Sequence, residues 1–189
     1  MGWAWIVKEK EVDDIRIVVS ALIANGDSLL LIKRGETPKR GYYSFPEGHL
    51  KVGEDPIIGI VRECREEIGC AVEPLNDKVL VIEGPSNAML PDDYLEKNWP
   101  PFNGKIGLHK YEVVNISSLD LSEPQKPNKK YLYVPCKLLG EPKRTQAALE
   151  IVFMTPREAL ELKFKRILKL MPTTSIVLAL IELSEFSVS

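Results

Sequence analysis

The stretch Gly48-His49-Leu50-Lys51-Val52-Gly53-Glu54-Asp55-Pro56-Ile57-Ile58-Gly59-Ile60-Val61-Arg62-Glu63-Cys64-Arg65-Glu66-Glu67-Ile68-Gly69-Cys70 decides how the rest of the chain is read. Its second half specifies a helix by local chemistry. Asp55 is a strong N-cap, and Pro56 takes the first helical position, where its missing N–H is not needed. Ile57, Ile60, Val61, Cys64 and Ile68 recur at helical spacing and form one apolar face. Gly69 is the expected stop. Glu63, Glu66 and Glu67 lie beside that face, within about a third of the helix circumference at ~100° per residue. One stripe packs the helix down while a carboxylate stripe faces a cleft.

Three carboxylates at i, i+3 and i+4 repel one another. A hard divalent cation with oxygen ligands relieves that repulsion, and so does proton sharing. Taken alone, the triplet also reads as a solvated helix face, because Arg62 and Arg65 flank it. The loop ahead of the helix changes that balance. Gly48 is followed by five residues, then Glu54, then seven residues, then Arg62-Glu63-Cys64-Arg65-Glu66-Glu67-Ile68-Gly69-Cys70. This pattern resembles the signature of the Nudix hydrolases, GX5EX7REUXEEXGU, in which U is a bulky aliphatic residue. Gly48, Glu54, Arg62, Glu63, Glu66, Glu67 and Gly69 meet every fixed position. Cys64 and Cys70 depart from the pattern at the two U positions, a change in packing rather than in chemistry.

The resemblance implies an α/β (α+β) fold, an α/β/α sandwich around a mixed β-sheet with the box as loop–helix–loop. It implies a single domain over residues 1–189, with the family core at about 13–185. It also implies hydrolysis of a nucleoside diphosphate linked to another group, by attack of water on a phosphorus of the diphosphate bridge. The cofactor it implies is Mg²⁺, with Mn²⁺ as a substitute. Glu63, Glu66, Glu67 and the carbonyl of Gly48 are the metal ligands by position in the motif. Glu63 is also the expected general base, or the carboxylate that orients the water. Arg62 orients the carboxylates and pairs with Glu54. For an extra carboxylate from outside the box, Glu150 is the first candidate, with Glu112 and Glu123 behind it. Arg34 and His49 are candidate substrate contacts, placed to touch phosphate. Tyr42, Tyr43 and Phe45 read as core, and His109 as structural.

Outward from the box, residues 15–24 form an apolar β-branched strand that runs into the hairpin signal Asn25-Gly26 and a second strand, Ser28 to Lys33. Tyr42 to Phe45 is a short extended piece, and Pro46 to Gly53 a loop. Val79 to Ile82 is a strand. Residues 83–130 are rich in Pro, Asn and Gly and read as a long irregular insertion, with one strand at His109 to Ile116. Tyr131 to Leu139 and Glu150 to Met154 are strands. Thr155, Pro156 and Glu158 open a helix running to Leu170, and a last helix spans Thr174 to Phe186.

Composition sets the outer limits. A chain of 189 residues that is 44% hydrophobic and 28% charged can fold without a disulfide or metal staple. A net charge of −2 excludes a general nucleic-acid binder but not a small phosphorylated ligand. Cys64, Cys70 and Cys136 form neither a disulfide framework nor a zinc site and read as small buried side chains in a reducing cytoplasm. No run approaches the ~18 apolar residues of a membrane span. Met1 to Ile6 lacks both a signal-peptide pattern and the myristoylation pattern.

For the substrate, the residues point two ways. Pro85, sixteen residues after Gly69, resembles the subgroup that cleaves ADP-ribose, as do Lys33-Arg34-Gly35, Pro38 and Gly41. Pro46-Glu47-Gly48-His49 resembles instead the Pro-x-Gly-His of dinucleoside polyphosphate hydrolases. ADP-ribose or another nucleotide sugar leads, ahead of dinucleoside polyphosphates and nucleoside triphosphates. Homodimers are common in the ADP-ribose group, and the insertion offers one a surface. Non-catalytic binding modules of this fold usually lose an acidic residue of the box; this chain keeps them all.

Overall fold

Strand β1 (Ile17–Asn25) is buried along most of its length and turns at Gly26, whose φ of 59° suits a residue without a Cβ. It leads into β2 (Ser28–Arg34), with Asn25 paired to Ser28. The two-residue turn is therefore Gly26-Asp27, one position later than the Asn25-Gly26 signal suggests. This computed structural model describes residues 16–188. The readings made for Met1 to Ile6, for Ile15 and for the start of the core at Asp13 lie outside the described residues.

The chain continues through β3 (Tyr43–Ser44), β4 (Glu47–His49), α1 (Pro56–Ile68), β5 (Val72–Pro74), β6 (Lys78–Pro85), α2 (Tyr94–Asn98), β7 (Lys105–Ile106), β8 (His109–Asn115), β9 (Asn128–Leu138), β10 (Ala148–Met154), α3 (Pro156–Phe164) and α4 (Pro172–Glu182). Among the described residues ten strands form one sheet in the order β10-β2-β1-β9-β6-β8-β7, with β3 on β2, β4 on β1 and β5 on β9. β1 and β9 run parallel and the other ladders are antiparallel, so the sheet is mixed as expected.

Strand alternation divides the interior into two cores. Val19, Ala21, Leu30, Ile32, Leu132 and Val134 face α1, which contributes Ile60, Cys64 and Ile68. Leu22, Leu29, Leu31, Tyr131 and Tyr133 face the other way, toward Ala159 of α3 and Ile176 to Leu180 of α4. Helices on both faces make the α/β/α sandwich. Helix α4 is buried from Pro172 to Leu180, which is why its sequence is apolar all round. All three cysteines are free and buried. No helix among the described residues is long and apolar enough to cross a membrane.

Several boundaries differ from the sequence reading. The Pro46–Gly53 loop holds β4, because Glu47, Gly48 and His49 find partners in Ser20, Val19 and Val18. β5 went unread; its hydrogen bonds depend on Cys136 to Leu138 of β9. Helix α3 stops at Phe164 rather than Leu170: Arg166 takes a φ of 58°, and the amide of Ile167 turns back to the carbonyl of Leu162. Helix α4 starts at Pro172, at its first position, and ends at Glu182, before Ser184 at a φ of 61°. The 83–130 segment is more regular than its prolines imply. It holds the end of β6, then α2, β7 and β8, with β6 and β8 paired from Lys78–Asn115 to Glu83–Lys110.

The sheet's topology also opens a cleft. β3 and β4 are near neighbours in the chain but belong to different partners, β3 to β2 and β4 to β1. β1 is paired to β2 only at its end, at Ala24 and Asn25. The two ladders separate below that point, and the box loop sits at the separation.

Candidate active site

Helix α1 begins where the Asp55 carboxylate accepts the amides of Ile57 and Ile58, at 2.8 and 3.3 Å. Gly69 ends it in the left-handed region, at a φ of 61°. Between these stops Arg62 ties the helix to the box loop. Its Nε and Nη2 donate to the two oxygens of Glu54 at 2.9 and 2.8 Å, and Nη2 also donates to the carbonyl of His49 at 3.1 Å. Nη1 donates to Glu63. This fork is the strong, bidentate form of a charged hydrogen bond. It holds the Glu54 carboxyl down at about 2, well below the usual carboxylate range, chiefly through the Arg62 hydrogen bonds.

Glu63 leans on the backbone of Gly48, so closely that a Cβ at position 48 would collide with its carboxylate. Burial pushes the Glu63 carboxyl up, against the pull of Arg62. Glu67 is the more deeply enclosed acid. Its carboxylate accepts the backbone N–H of Glu47 at 2.9 Å, and burial pushes it well above its ordinary value. Glu66 is different: its side chain is 60% exposed, with Arg62 Nη1 at 3.7 Å.

Glu63 and Glu67 line a cleft of about 860 Å³ together with Gly48, Arg62, Arg34 and His49. Its floor is Val18 and Tyr131, from β1 and β9. One wall is Glu36 to Lys39, after β2; another is Ser86 to Met89, from the 83–130 segment. Arg34 reaches a second acid, with Nη1 3.4 Å from Glu47. The ammonium of Lys129 donates to Nε2 of His49 at 3.0 Å.

Glu47 is the site residue that sequence reasoning missed. It is 8% exposed, accepts the Ser20 hydroxyl at 3.1 Å, and has its carboxyl pushed up by burial. The available signal was its place in Pro46-Glu47-Gly48-His49, a carboxylate directly before the first glycine of the box.

Glu150, the first candidate for an extra carboxylate, is not brought into the cleft. It lies opposite Lys33 in the β2–β10 ladder, and its side chain alternates onto the face of Val152 and Met154, which packs against the α3–α4 core. There it accepts the Tyr43 hydroxyl at 2.8 Å, with Lys33 at 3.8 Å. Arg34, one residue on from Lys33, lines the cleft. Glu112 lies opposite Val81 on β8, and Glu123 accepts the amide of Arg16 at 3.1 Å; neither lines the cleft. Tyr43 and Phe45 are core residues. The ring of buried His109 meets the Tyr94 hydroxyl at 2.9 Å and the carbonyl of Pro85 at 3.0 Å, and burial lowers its pKa.

The donor set fits a hard cation by chemistry. Glu63, Glu66, Glu67 and the Gly48 carbonyl offer only oxygen. The charges of Glu47 and Glu63 each push Glu67 up, so this end of the cleft holds more negative charge than it can comfortably ionise. The arrangement is not yet a cage: among the described residues, no three His, Cys, Asp or Glu side chains are gathered to hold an ion. Glu63 is turned to Arg62, and Glu66 stands at the rim.

A family model described as NUDIX domain matches residues 14–172. An ADP-ribose pyrophosphatase of Methanocaldococcus jannaschii is 31% identical over 70 residues, a match covering 34% of this chain and only 41% of that relative's length. A NUDIX hydrolase from Nitrosomonas europaea superposes with a TM-score of 0.54 at 16% identity, over 89% of both chains. A C. elegans Ap4A hydrolase superposes with a TM-score of 0.53 at 14% identity, over 91% of this chain and 100% of that one. At such identities these two structures speak for the fold alone. The family match spans most of the chain and contains the whole stretch from Gly48 to Cys70: this protein belongs to the NUDIX domain family.

Proposed function

We propose that this protein hydrolyses a nucleoside diphosphate linked to another group, with Mg²⁺ or Mn²⁺ as cofactor. The observation that carries the reading is the complete box folded so that Glu63 and Glu67 are desolvated in one cleft with the cations Arg34, Arg62 and Lys129. Glu63, Glu67 and the Gly48 carbonyl are the residues to hold the ion, with Glu66 swinging in from the rim. A bound divalent ion supplies positive charge against the diphosphate oxygens. The rest falls to the chain. Glu63 takes the proton of the attacking water, a role suited to a carboxylate whose basicity burial raises. Arg62 releases Glu63 to that task while keeping Glu54, which fixes the loop against the helix. Gly48 keeps the backbone open where the carboxylate and the substrate must come close. Arg34 contacts phosphate from the β2 side.

ADP-ribose or another nucleotide sugar is the substrate suggested by the relative from M. jannaschii and by Lys33-Arg34-Gly35. The cleft-lining Arg16, Lys126 and Lys129, together with Pro46-Glu47-Gly48-His49, favour a dinucleoside polyphosphate or nucleoside triphosphate. The reading takes the protein to act in the cytoplasm on small nucleotides rather than on long nucleic acid or membranes, with a homodimer compatible. The test is turnover of ADP-ribose, diadenosine tetraphosphate, deoxynucleoside triphosphates and coenzyme A with Mg²⁺, products being resolved by chromatography. Release of a nucleoside monophosphate, abolished by a chelator and by Glu66→Gln, supports it. Nucleotide binding without turnover of any compound replaces it with a binding module.

A further inference from the structure

The cleft floor is laid out in rows across three strands. Glu47, Ser20 and Tyr133 form one row across β4, β1 and β9, and His49, Val18 and Tyr131 form the next. Strand alternation puts Arg16 and Lys129 in the following row, and the amide of Lys130 donates to the carbonyl of Arg16 at 2.8 Å to continue the ladder. Both residues line the cleft, as does Lys126 just before β9. Lys130 turns to the opposite face, where its ammonium donates to the carbonyls of Asp120 and Ser122. The cleft is thus acidic at the Glu47 and Glu67 end and basic at the Arg16 and Lys129 end. Val19, the partner of Gly48, stands three residues from Arg16, about 10 Å at strand rise. Arg16 and Arg34 line the cleft from different walls; Nη1 of Arg16 donates to the carbonyl of Pro124 and Nη1 of Arg34 to Glu47.

We propose that Arg16, Lys126 and Lys129 form a second anion subsite, taking a phosphoryl group of the substrate beyond the scissile diphosphate. The preferred substrate then carries three or more phosphates in one chain. This rests on the hydrolase reading above. Beyond a diphosphate held at Gly48 and Glu63 the floor continues for about three residues of strand to Arg16, and basic side chains line it there. A longer phosphate chain continues along the floor past His49, which positions the Lys129 ammonium. The subsite is supplied largely by residues at the end of the 83–130 segment and the start of β9, giving that segment a role in substrate choice.

Two measurements test it, both with Mg²⁺ in excess of ligand. The first is calorimetric titration of the wild-type protein with tripolyphosphate and with pyrophosphate. The second is kcat/KM for diadenosine tetraphosphate and for ADP-ribose, in the wild type and in Lys129→Met and Lys126→Met. Tripolyphosphate binds about tenfold tighter than pyrophosphate, the scale of one added charge-assisted contact. The tetraphosphate is preferred over ADP-ribose, and each variant narrows that preference, through KM rather than kcat. Equal affinity for the two inorganic anions overturns the subsite. So does an equal loss on both substrates. If nothing is turned over, the hydrolase reading fails, while the wild-type titration still decides the subsite without depending on any variant.

Discussion

The backbone N–H of Glu47 donates to the carboxylate of Glu67 at 2.9 Å, joining the strand ahead of the box to the last turn of the box helix. The bond crosses the cleft's acidic end and holds Glu67 where it is buried beside two other acids, Glu47 and Glu63. Folding thus keeps Glu67 close to charges that oppose its own ionisation.

That placement has a sign in pH. The folded-state pKa of Glu67 is raised above its ordinary 4.5, so the folded protein binds its proton more tightly than the unfolded chain. The contribution to stability is fully present below 4.5 and is lost as pH rises from there through the raised value. The metal-free protein, kept in chelator, should lose thermal stability from pH 4 to pH 8, and Mg²⁺ should restore it at pH 8. Glu67→Gln keeps an acceptor for Glu47 and should melt a few degrees higher than wild type at pH 8 in chelator, on the scale of ~1 kcal/mol, with no difference near pH 4. A variant melting below wild type at pH 8 sinks the idea.

Glu54 titrates the other way. Arg62 holds its carboxyl at about 2, against an ordinary 4.5. The stability it contributes is present above 4.5 and disappears as pH falls toward 2. Glu54→Gln should cost about 1–2 kcal/mol at pH 7 by denaturant unfolding, the scale of a charged hydrogen bond, with the cost vanishing at low pH. A pH-independent difference would count against the Arg62 fork.

Gly48→Ala introduces a methyl group into the space of the Glu63 carboxylate. The protein should fold, since no positive φ is required at residue 48. Its kcat should fall by about 10²-fold, the effect of misplacing a reacting group by an ångström. Circular dichroism checks the first part and steady-state kinetics the second; a variant with wild-type turnover refutes the close approach.

Glu47 and Glu150 make a direct contrast. Both are partnered carboxylates on strands, but only Glu47 lines the cleft. Glu47→Gln should lower kcat/KM by about tenfold or more, as loss of a charged hydrogen-bond partner in the site. Glu150→Gln should remain within about twofold, with its effect on the Tyr43 hydroxyl, whose pKa is raised to about 12 chiefly by burial. The reverse order would restore Glu150 to the site.

The box helix was legible because each of its signals is local. Asp55, Pro56 and Gly69 act within a turn of their own positions, and the apolar stripe needs only a periodicity. The strands that shape the cleft were not. Glu47–His49 becomes a strand because Val18–Ser20 lies beside it, and Glu47 is buried because Ser20, 27 residues earlier, meets it there. His49 meets Lys129 across 80 residues, a pairing no window of sequence contains. Helix α3 ended early because Arg166 takes a left-handed φ that a glycine would have advertised. Nearness in sequence to the 140–146 loop points to Glu150, but in the fold it is taken up by the Tyr43 hydroxyl and Lys33, away from the cleft lining.

The parallel pairing of β1 with β9 has a consequence for the order of assembly during synthesis. Ile17 waits for Lys130. At about 5–20 residues per second, a ribosome needs roughly 6 to 23 seconds to make the chain between them. Through that interval β1 has one unpaired edge in the middle of the future sheet, while the β1–β2 hairpin, the box loop and its helix already have their local partners. The acidic half of the cleft can thus form on the nascent chain. The lysines of the basic half arrive later, at and just before β9, so a chain stalled before residue 128 would carry the carboxylates and Arg16 but lack Lys129.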